Sequence, residues 1–338
     1  MIAYFKTAKN LWEAEIVELI QVGLNEEIAH EFLNWRDNFD IEKTQKELEK
    51  NKIKTICFDE PQYPKLLKEI DDPPICLFYR GEIPKDSAPC LGVVGTRKNS
   101  SYAKVACEEL VEQLSNKNVV IVSGLAFGID SIAHSATIKK QGLTVAVLGS
   151  GVNDKNIMPR NNLGLARDII NSGGAVISEY PPGFEASKIT FPARNRIIAG
   201  LSLGTLVIEA PEKSGSLITA KFALEYNREV FAIPHSINSK LGIGNNNLLK
   251  MGAAPVTDAD DIVDALNLNQ LRLPKSNTCI QLPTIQAKIY SCLNKNPKHI
   301  NLIIKETGLT SSQVGSELIL MEINGLIKNL GNNNYIAK

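Results

Sequence analysis

The amino-acid pattern predicts an α/β protein built on a doubly wound, mostly parallel sheet, with a small helical domain before it and another small domain after it. Three observations carry this reading. Between about residues 90 and 235 short apolar runs recur without polar alternation, each ends in Gly, Ser or Pro, and a helical pattern follows. Strands buried on both faces read as uninterrupted apolar runs, and their alternation with helices specifies a parallel sheet covered on both sides. At 338 residues, 43% of them hydrophobic, the chain has the length for two or three such units.

Taken in order, Leu11, Ile16, Leu19, Ile20, Leu24, Ile28, Phe32 and Leu33 fall at helical spacings and make residues 1–50 a small helical domain. Pro61, Pro64, Pro73 and Pro74 then mark irregular structure before the segment Ile75 to Tyr79. The strand runs follow at Leu91 to Val94, Val119 to Val122, Val145 to Leu148, Ala175 to Ile177, Leu206 to Ile208 and Val230 to Ile233. They assign 51–267 to an extended Rossmann-like domain, whose ligands sit at the carboxyl ends of the strands. A stretch rich in Asn, Leu and Pro, 268–282, reads as a linker.

In 283–338 three helical patterns, with a Gly308-Leu309-Thr310 turn between the second and third, precede a hairpin with an Asn-rich tip, which is a winged-helix pattern.

Charge bounds the function. Thirty-seven Lys/Arg balance 37 Asp/Glu, which excludes a nucleic-acid binder working by gross positive charge. The charge is unevenly placed: residues 187–250 hold eight basic against four acidic residues, and 1–80 hold 11 against 16. Neither a signal-peptide pattern nor an apolar run long enough to span a membrane is present, so a cytoplasmic protein is expected. The six cysteines, without C-x-x-C or metal-ligand spacing, read as reduced, mostly buried thiols, and no metal is expected.

The glycine turns carry the chemistry. The first strand ends in Gly95-Thr96-Arg97, followed by Asn99, Ser100 and Ser101 at a helix start. Glycine admits a ligand to the backbone, hydroxyls and helix N–H groups bind an oxyanion, and arginine clamps phosphate. Ser123-Gly124 ends the second strand and Gly149-Ser150-Gly151 the third. Neither is a dinucleotide G-x-G-x-x-G, so no cofactor is expected.

Between Lys188 and Arg196 three cations and Asn195 stand within nine residues beside Phe191, a plausible platform for phosphates and bases. The alternative is that Arg194 or Arg196 pairs with Glu179 or Glu209 at strand ends and braces the sheet. Lys213-Ser214-Gly215-Ser216 opens the next helix as an anion nest, with Thr219 one turn further on. Together these turns describe a polyanion groove. Asp130 and His134, four apart on a helix, read as a packing pair. No G-x-x-x-x-G-K-[ST], H-E-x-x-H or G-x-S-x-G occurs, so no hydrolytic centre is specified.

At these residues the sequence closely resembles the DNA-processing protein A (DprA or Smf) family. The matching stretches are G-V-V-G-T-R, S-G-L-A-F-G-I-D-S-I-A-H, G-S-G-V-N-D, F-P-A-R-N-R-I-I-A-G-L-S, E-A-P-E-K-S-G-S-L-I-T-A and N-N-L-L-K-M-G-A, the last opening at Asn246. The resemblance implies a non-catalytic protein that binds and protects single-stranded DNA, loads the RecA recombinase during natural transformation, and dimerises through its Rossmann domain. Arg97, Lys188 and Phe191 are its implied DNA contacts. Gly95, Thr96 and Ser214 to Ser216 match the same pocket, and Ser123, Gly124, Arg194, Asn195, Arg196, Lys213, Thr219 and Asn246 complete the expected set. Phe127, Met158 and His235 depart from the family pattern, which usually has Arg, Tyr and Gly there.

Two other functions compete. A Rossmann-like nucleotide phosphoribohydrolase would show P-G-G-x-G-T-x-x-E where this chain reads Ala210-Pro211-Glu212-Lys213-Ser214-Gly215-Ser216. A regulator would read bases with its third winged-helix helix, but Ser311 to Glu322 contains neither Arg nor Lys.

Overall fold

A computed structural model describes residues 2–5, 7–268, 284–293, 298–323, 326–329 and 333–337. The predicted linker lies outside the described residues except for Leu268, as do residues 330–332 of the hairpin tip. The chain divides into two compact units, Met1–Leu271 and Arg272–Lys338.

The first unit opens with α1 (Ile2–Phe5), α2 (Ala8–Glu13), α3 (Ile16–Gln21), α4 (Glu26–Asp37) and α5 (Ile41–Lys50). Asn25 and Asp40 accept from backbone N–H groups in the first turns of α4 and α5 and so fix where those helices begin. Leu19 and Ala29 are fully buried in the small core these helices share. Leu48, near the end of α5, packs with Ile53 against the sheet instead.

The sheet begins with β1 (Lys54–Cys57), the short α6 (Lys65–Lys68) and β2 (Cys76–Gly81). It continues as β3 (Cys90–Val94), α7 (Ser101–Asn116), β4 (Val120–Ser123), α8 (Ile129–Lys139), β5 (Thr144–Val147), α9 (Leu163–Asn171) and β6 (Ala175–Ser178). Then come α10 (Thr190–Gly200), β7 (Gly204–Val207), α11 (Gly215–Glu225), β8 (Glu229–Ala232), α12 (Ile243–Lys250), β9 (Ala254–Pro255) and α13 (Ala259–Ala265). The nine strands lie in the order β1-β2-β6-β5-β4-β3-β7-β8-β9. Strands β3 to β9 are parallel, whereas β1 and β2 add an antiparallel edge.

Both faces are covered, which is why the strands read as continuous apolar runs. Along β3, Leu91 and Val93 enter the core beneath α7 and α8, while Val94 enters the opposite core with Ile197 and Ile198 of α10. The chain winds from β3 outward to β6, returns, and winds the other way from β7. The carboxyl ends of β3 and β7 therefore part their loops in opposite directions and leave a crevice at the topological switch point.

The second unit contains α14 (Thr284–Cys292), β10 (Lys298–His299), α15 (Ile300–Thr307), α16 (Ser311–Ile323), β11 (Ile327–Asn329) and β12 (Asn334–Ala337). Gly308 leaves α15 at φ 67°, a left-handed cap that turns the chain into α16. Its strands pair antiparallel in the order β10-β12-β11 around Ile289, Ile303, Val314 and Leu318, the winged-helix arrangement.

Candidate nucleic-acid interface

A cleft of about 350 Å³ occupies the switch point. Gly95, Thr96 and Arg97 beyond β3 form one wall, Phe191 and Asn195 of α10 another, and Lys213 to Ser216 at the start of α11 a third. Three segments predicted separately thus converge. Gly95 is required by packing: a Cβ there would lie 2.5 Å from the Ile129 side chain. The absence of that carbon lets the β3 loop lie flat on α8 and carry Arg97 outward.

Arg97 is exposed, and its guanidinium lies over the Phe191 ring, 5.6 Å from the centroid. This cation–π contact holds a free charge at the cleft mouth without satisfying its N–H donors. Across the cleft Ser214 caps α11, and its hydroxyl lies 2.8 Å from that of Ser216. Ser214 itself takes the Ser216 N–H on its hydroxyl at 3.4 Å and the Leu217 N–H on its carbonyl at 3.1 Å, while a Cβ at Gly215 would meet open space, so a ligand reaches the positive end of α11 at Gly215, with Thr219 one turn below. Lys213 is exposed beside them. The arrangement suits a phosphodiester with an unpaired base.

The start of α7, by contrast, is already occupied. The Ser100 backbone N–H and Oγ–H both donate to the buried Glu209 carboxylate, at 2.7 Å each. The oxyanion at this helix end is the protein's own, so Ser100 fixes the β3 loop rather than receiving a ligand. Glu209 also lies 3.5 Å from His235 Nε2, and its backbone oxygen accepts from Thr96 N–H at 2.7 Å. No sequence signal could have joined Ser100 to an acid 109 positions away.

Arg194 lines the back of the cleft but is only 4% exposed. Its guanidinium donates to the carbonyls of Gly124, at 2.8 Å, and Val147. Burial pulls its pKa down to about 10, with Asp130 opposing and Arg97 reinforcing that shift. Gly124 is needed for this fit, since a Cβ would lie 2.4 Å from the guanidinium. Asp130, buried with Arg194 behind the cleft, accepts from Ala126 N–H at 3.4 Å, and burial raises its carboxyl above the usual range. His134 below it is fully buried and accordingly pushed down to about 3.

Other expected contacts also differ. Arg196 lies around α10 from Phe191 and forks onto Glu179 at 2.9 and 2.7 Å, with a further bond to Asp72 at 2.9 Å. Burial alone would lower its pKa, but Glu179 and Asp72 raise it above the ordinary value. The bracing alternative describes this residue. Ser123 is fully buried, donating to Val93 O at 2.6 Å, and Gly124 lies under Arg194. Asn246 clasps the His235 backbone at 3.2 and 3.1 Å and does not line the cleft. Lys188 is exposed on the segment entering α10, outside the cleft wall.

Sequence reasoning missed Asp130 and Pro192 as cleft residues. Asp130 could have been found by placing α8 directly behind the β4 turn. Phe127, on that turn, is half exposed.

A family model for DNA recombination-mediator protein A matches residues 54–267, and one for the DprA winged helix domain matches 274–333. DNA processing protein DprA of Bacillus subtilis is 44% identical over 215 residues, 63% of this chain and 71% of that protein. The DNA processing protein A structure from Streptococcus pneumoniae superposes with TM-score 0.64 at 37% identity, covering 74% of this chain and 86% of the other. A structure of the Helicobacter pylori protein, which gives insight into its unique single-stranded DNA binding mode, has TM-score 0.56 at 28% identity. It covers 64% of this chain and 96% of the other.

Proposed function

The chain belongs to the DNA recombination-mediator protein A family, and from that premise we propose that its switch-point cleft binds single-stranded DNA without sequence preference. The observation that carries this is Arg97 held over Phe191 opposite the N-terminal end of α11. Phosphate is met by Arg97, by the positive end of α11 at Gly215 and by Lys213, while an unpaired base reaches the aromatic wall. Lys188 extends the path along the segment entering α10. A duplex hides its base faces, so the same cleft favours single strands.

We read the site as binding rather than catalytic. The one acid among its lining residues, Asp130, is buried at the back of the cleft and held by backbone N–H groups beside Arg194. The cellular role that follows is protection of incoming DNA and loading of RecA recombinase during natural transformation, in the cytoplasm. No helix among the described residues is long and apolar enough to cross a membrane. A homodimer through the Rossmann domain would join two clefts and raise avidity on long strands.

Fluorescence anisotropy with a labelled single-stranded oligonucleotide and its duplex, at two salt concentrations, tests the reading. Salt-sensitive preference for the single strand supports it. Absence of binding, together with release of ribose 5-phosphate from a nucleoside monophosphate, would replace it with the phosphoribohydrolase alternative.

A further inference from the structure

The antiparallel edge of the sheet places two cysteines face to face. In the β1–β2 ladder Cys57 stands directly opposite Cys76. One step outward along the same register, Phe58 N–H donates to Ile75 O at 2.9 Å, so 58 and 75 are a hydrogen-bonded pair. By the alternation of an antiparallel ladder, Cys57 and Cys76 are then a non-hydrogen-bonded pair, whose Cα atoms stand about 4.5 Å apart. That lies inside the range of roughly 4.4–6.8 Å that a disulfide spans without backbone movement. The Cys57 N–H, turned away from the ladder, donates to Glu60 Oε1 at 2.8 Å.

We infer that Cys57 and Cys76 are a reversible dithiol–disulfide couple, a redox modification site whose oxidant is a low-molecular-weight disulfide such as glutathione disulfide. Both residues are partly exposed, whereas Cys107 is fully buried on the inner face of α7. Among the described residues no other two cysteines share a ladder pair. Cys57 lies on the outermost strand of the sheet, β1, and is the first nucleophile, while burial pushes Cys76 up to about 12 and suits it to the resolving step.

The Cys57 thiolate attacks one sulfur of glutathione disulfide and expels a glutathione thiolate, leaving a mixed disulfide. Cys76 gives up its proton to solvent, attacks Cys57 Sγ and expels the second glutathione. The protein loses two protons and two electrons, and glutathione disulfide gains both as two glutathiones.

The bond would close a loop of about 20 residues that reaches the DNA-site helix. Within it Tyr63 donates to Pro74 O at 2.7 Å, and Leu67 and Ile70 pack at Gly200 of α10. Asp72 accepts from Arg196 and from the Tyr226 hydroxyl, at 2.9 and 2.8 Å. Oxidation therefore pins the segment that braces α10 from behind. The inference stands whether or not the cleft binds DNA.

The experiment equilibrates the full-length chain in glutathione redox buffers, blocks free thiols, and maps peptides without reduction. The expected result is a single 57–76 cross-link, reversed by dithiothreitol, with a rise in Tm of about 5–10 °C that Cys76→Ser abolishes. Cross-links to other cysteines, or Cys57 remaining glutathionylated with Cys76 free, would overturn it. The mapping needs no variant, so poor folding of Cys76→Ser leaves it decisive.

Discussion

Helix α10 and the β3 loop carry cations of two kinds, and their fates differ. Arg194 and Arg196 are consumed inside the protein, the first by the Gly124 and Val147 carbonyls, the second by Glu179 and Asp72. Arg97 rests on an aromatic ring and has no hydrogen-bond acceptor among the described residues, and Lys188 stands in solvent. Charge alone does not make a binding residue; what decides is whether an internal acceptor lies within reach. The helix sets this geometrically, since Phe191, Arg194, Asn195 and Ile198 share the cleft face while Arg196 falls on the side facing Glu179.

The largest effect is expected where the cation is deepest. Arg194→Ala leaves two carbonyls unpaired and Asp130 without its opposing charge, which should destabilise the fold by about 3–5 kcal/mol in urea titration. A variant of wild-type stability that had lost only DNA affinity would move Arg194 from the bracing group to the binding group.

The free cations should behave in the opposite way. Arg97→Ala with Lys188→Ala should leave the melting curve unchanged and weaken single-strand binding by about 3 kcal/mol, taking roughly 1.5 for each charged contact. The slope of log affinity against log salt should fall in magnitude by about 1.4, or 0.7 for each phosphate released. Unaltered affinity in the double variant would remove these residues from the interface.

His134 sharpens the contrast through pH. Burial first, and Arg194 second, hold it near 3 in the folded state against an ordinary value of 6.5. A depressed histidine contributes stability that is complete above 6.5 and is lost as the pH falls, because the unfolded chain takes up the proton first. Between pH 7 and pH 5 this amounts to about 2 kcal/mol, at 1.36 kcal/mol for each pH unit below 6.5. Asp130, raised by burial, pulls with the opposite sign. Comparison of wild type with His134→Asn, which retains a donor for Thr144 Oγ1, largely cancels that contribution. An equally steep loss in the variant would place the acid sensitivity elsewhere.

The parallel strands and their glycine turns were legible because a strand buried on both faces leaves a composition no other element shares. The convergence of Arg97, Phe191 and Ser214 followed from strand order once the β3–β7 switch was known. What could not be read depends on long-range partners. Pro61 to Pro74 masked β1 and β2, because local breakers surround an edge that only β6 completes. The hydroxyl-rich turn at Ser100 looked like a ligand site, and it needs Glu209 folded beside it to become a cap. Ser123 and Asn246 likewise spend their polar groups on main-chain partners that only the fold supplies.

Phe191 should give the smallest effect, and the most discriminating. One face of its ring already carries Arg97, so a base gains the remaining face or the guanidinium plane. Phe191→Ala should therefore weaken binding by about 1 kcal/mol, the lower end of the range for a stacked base, without unfolding the protein. Phe191→Trp keeps a π surface and should bind as wild type, whereas Phe191→Leu should resemble the alanine variant. If the ring works by holding Arg97, the loss in Arg97→Ala and Phe191→Ala together should fall short of the sum of the single losses by about 0.5–1 kcal/mol. Strict additivity would separate the two residues, leaving Arg97 to the phosphate and Phe191 to the base. A Phe191→Ala protein that fails to fold would instead assign the ring to the core, and the comparison between bracing and binding residues would then divide α10 one residue earlier.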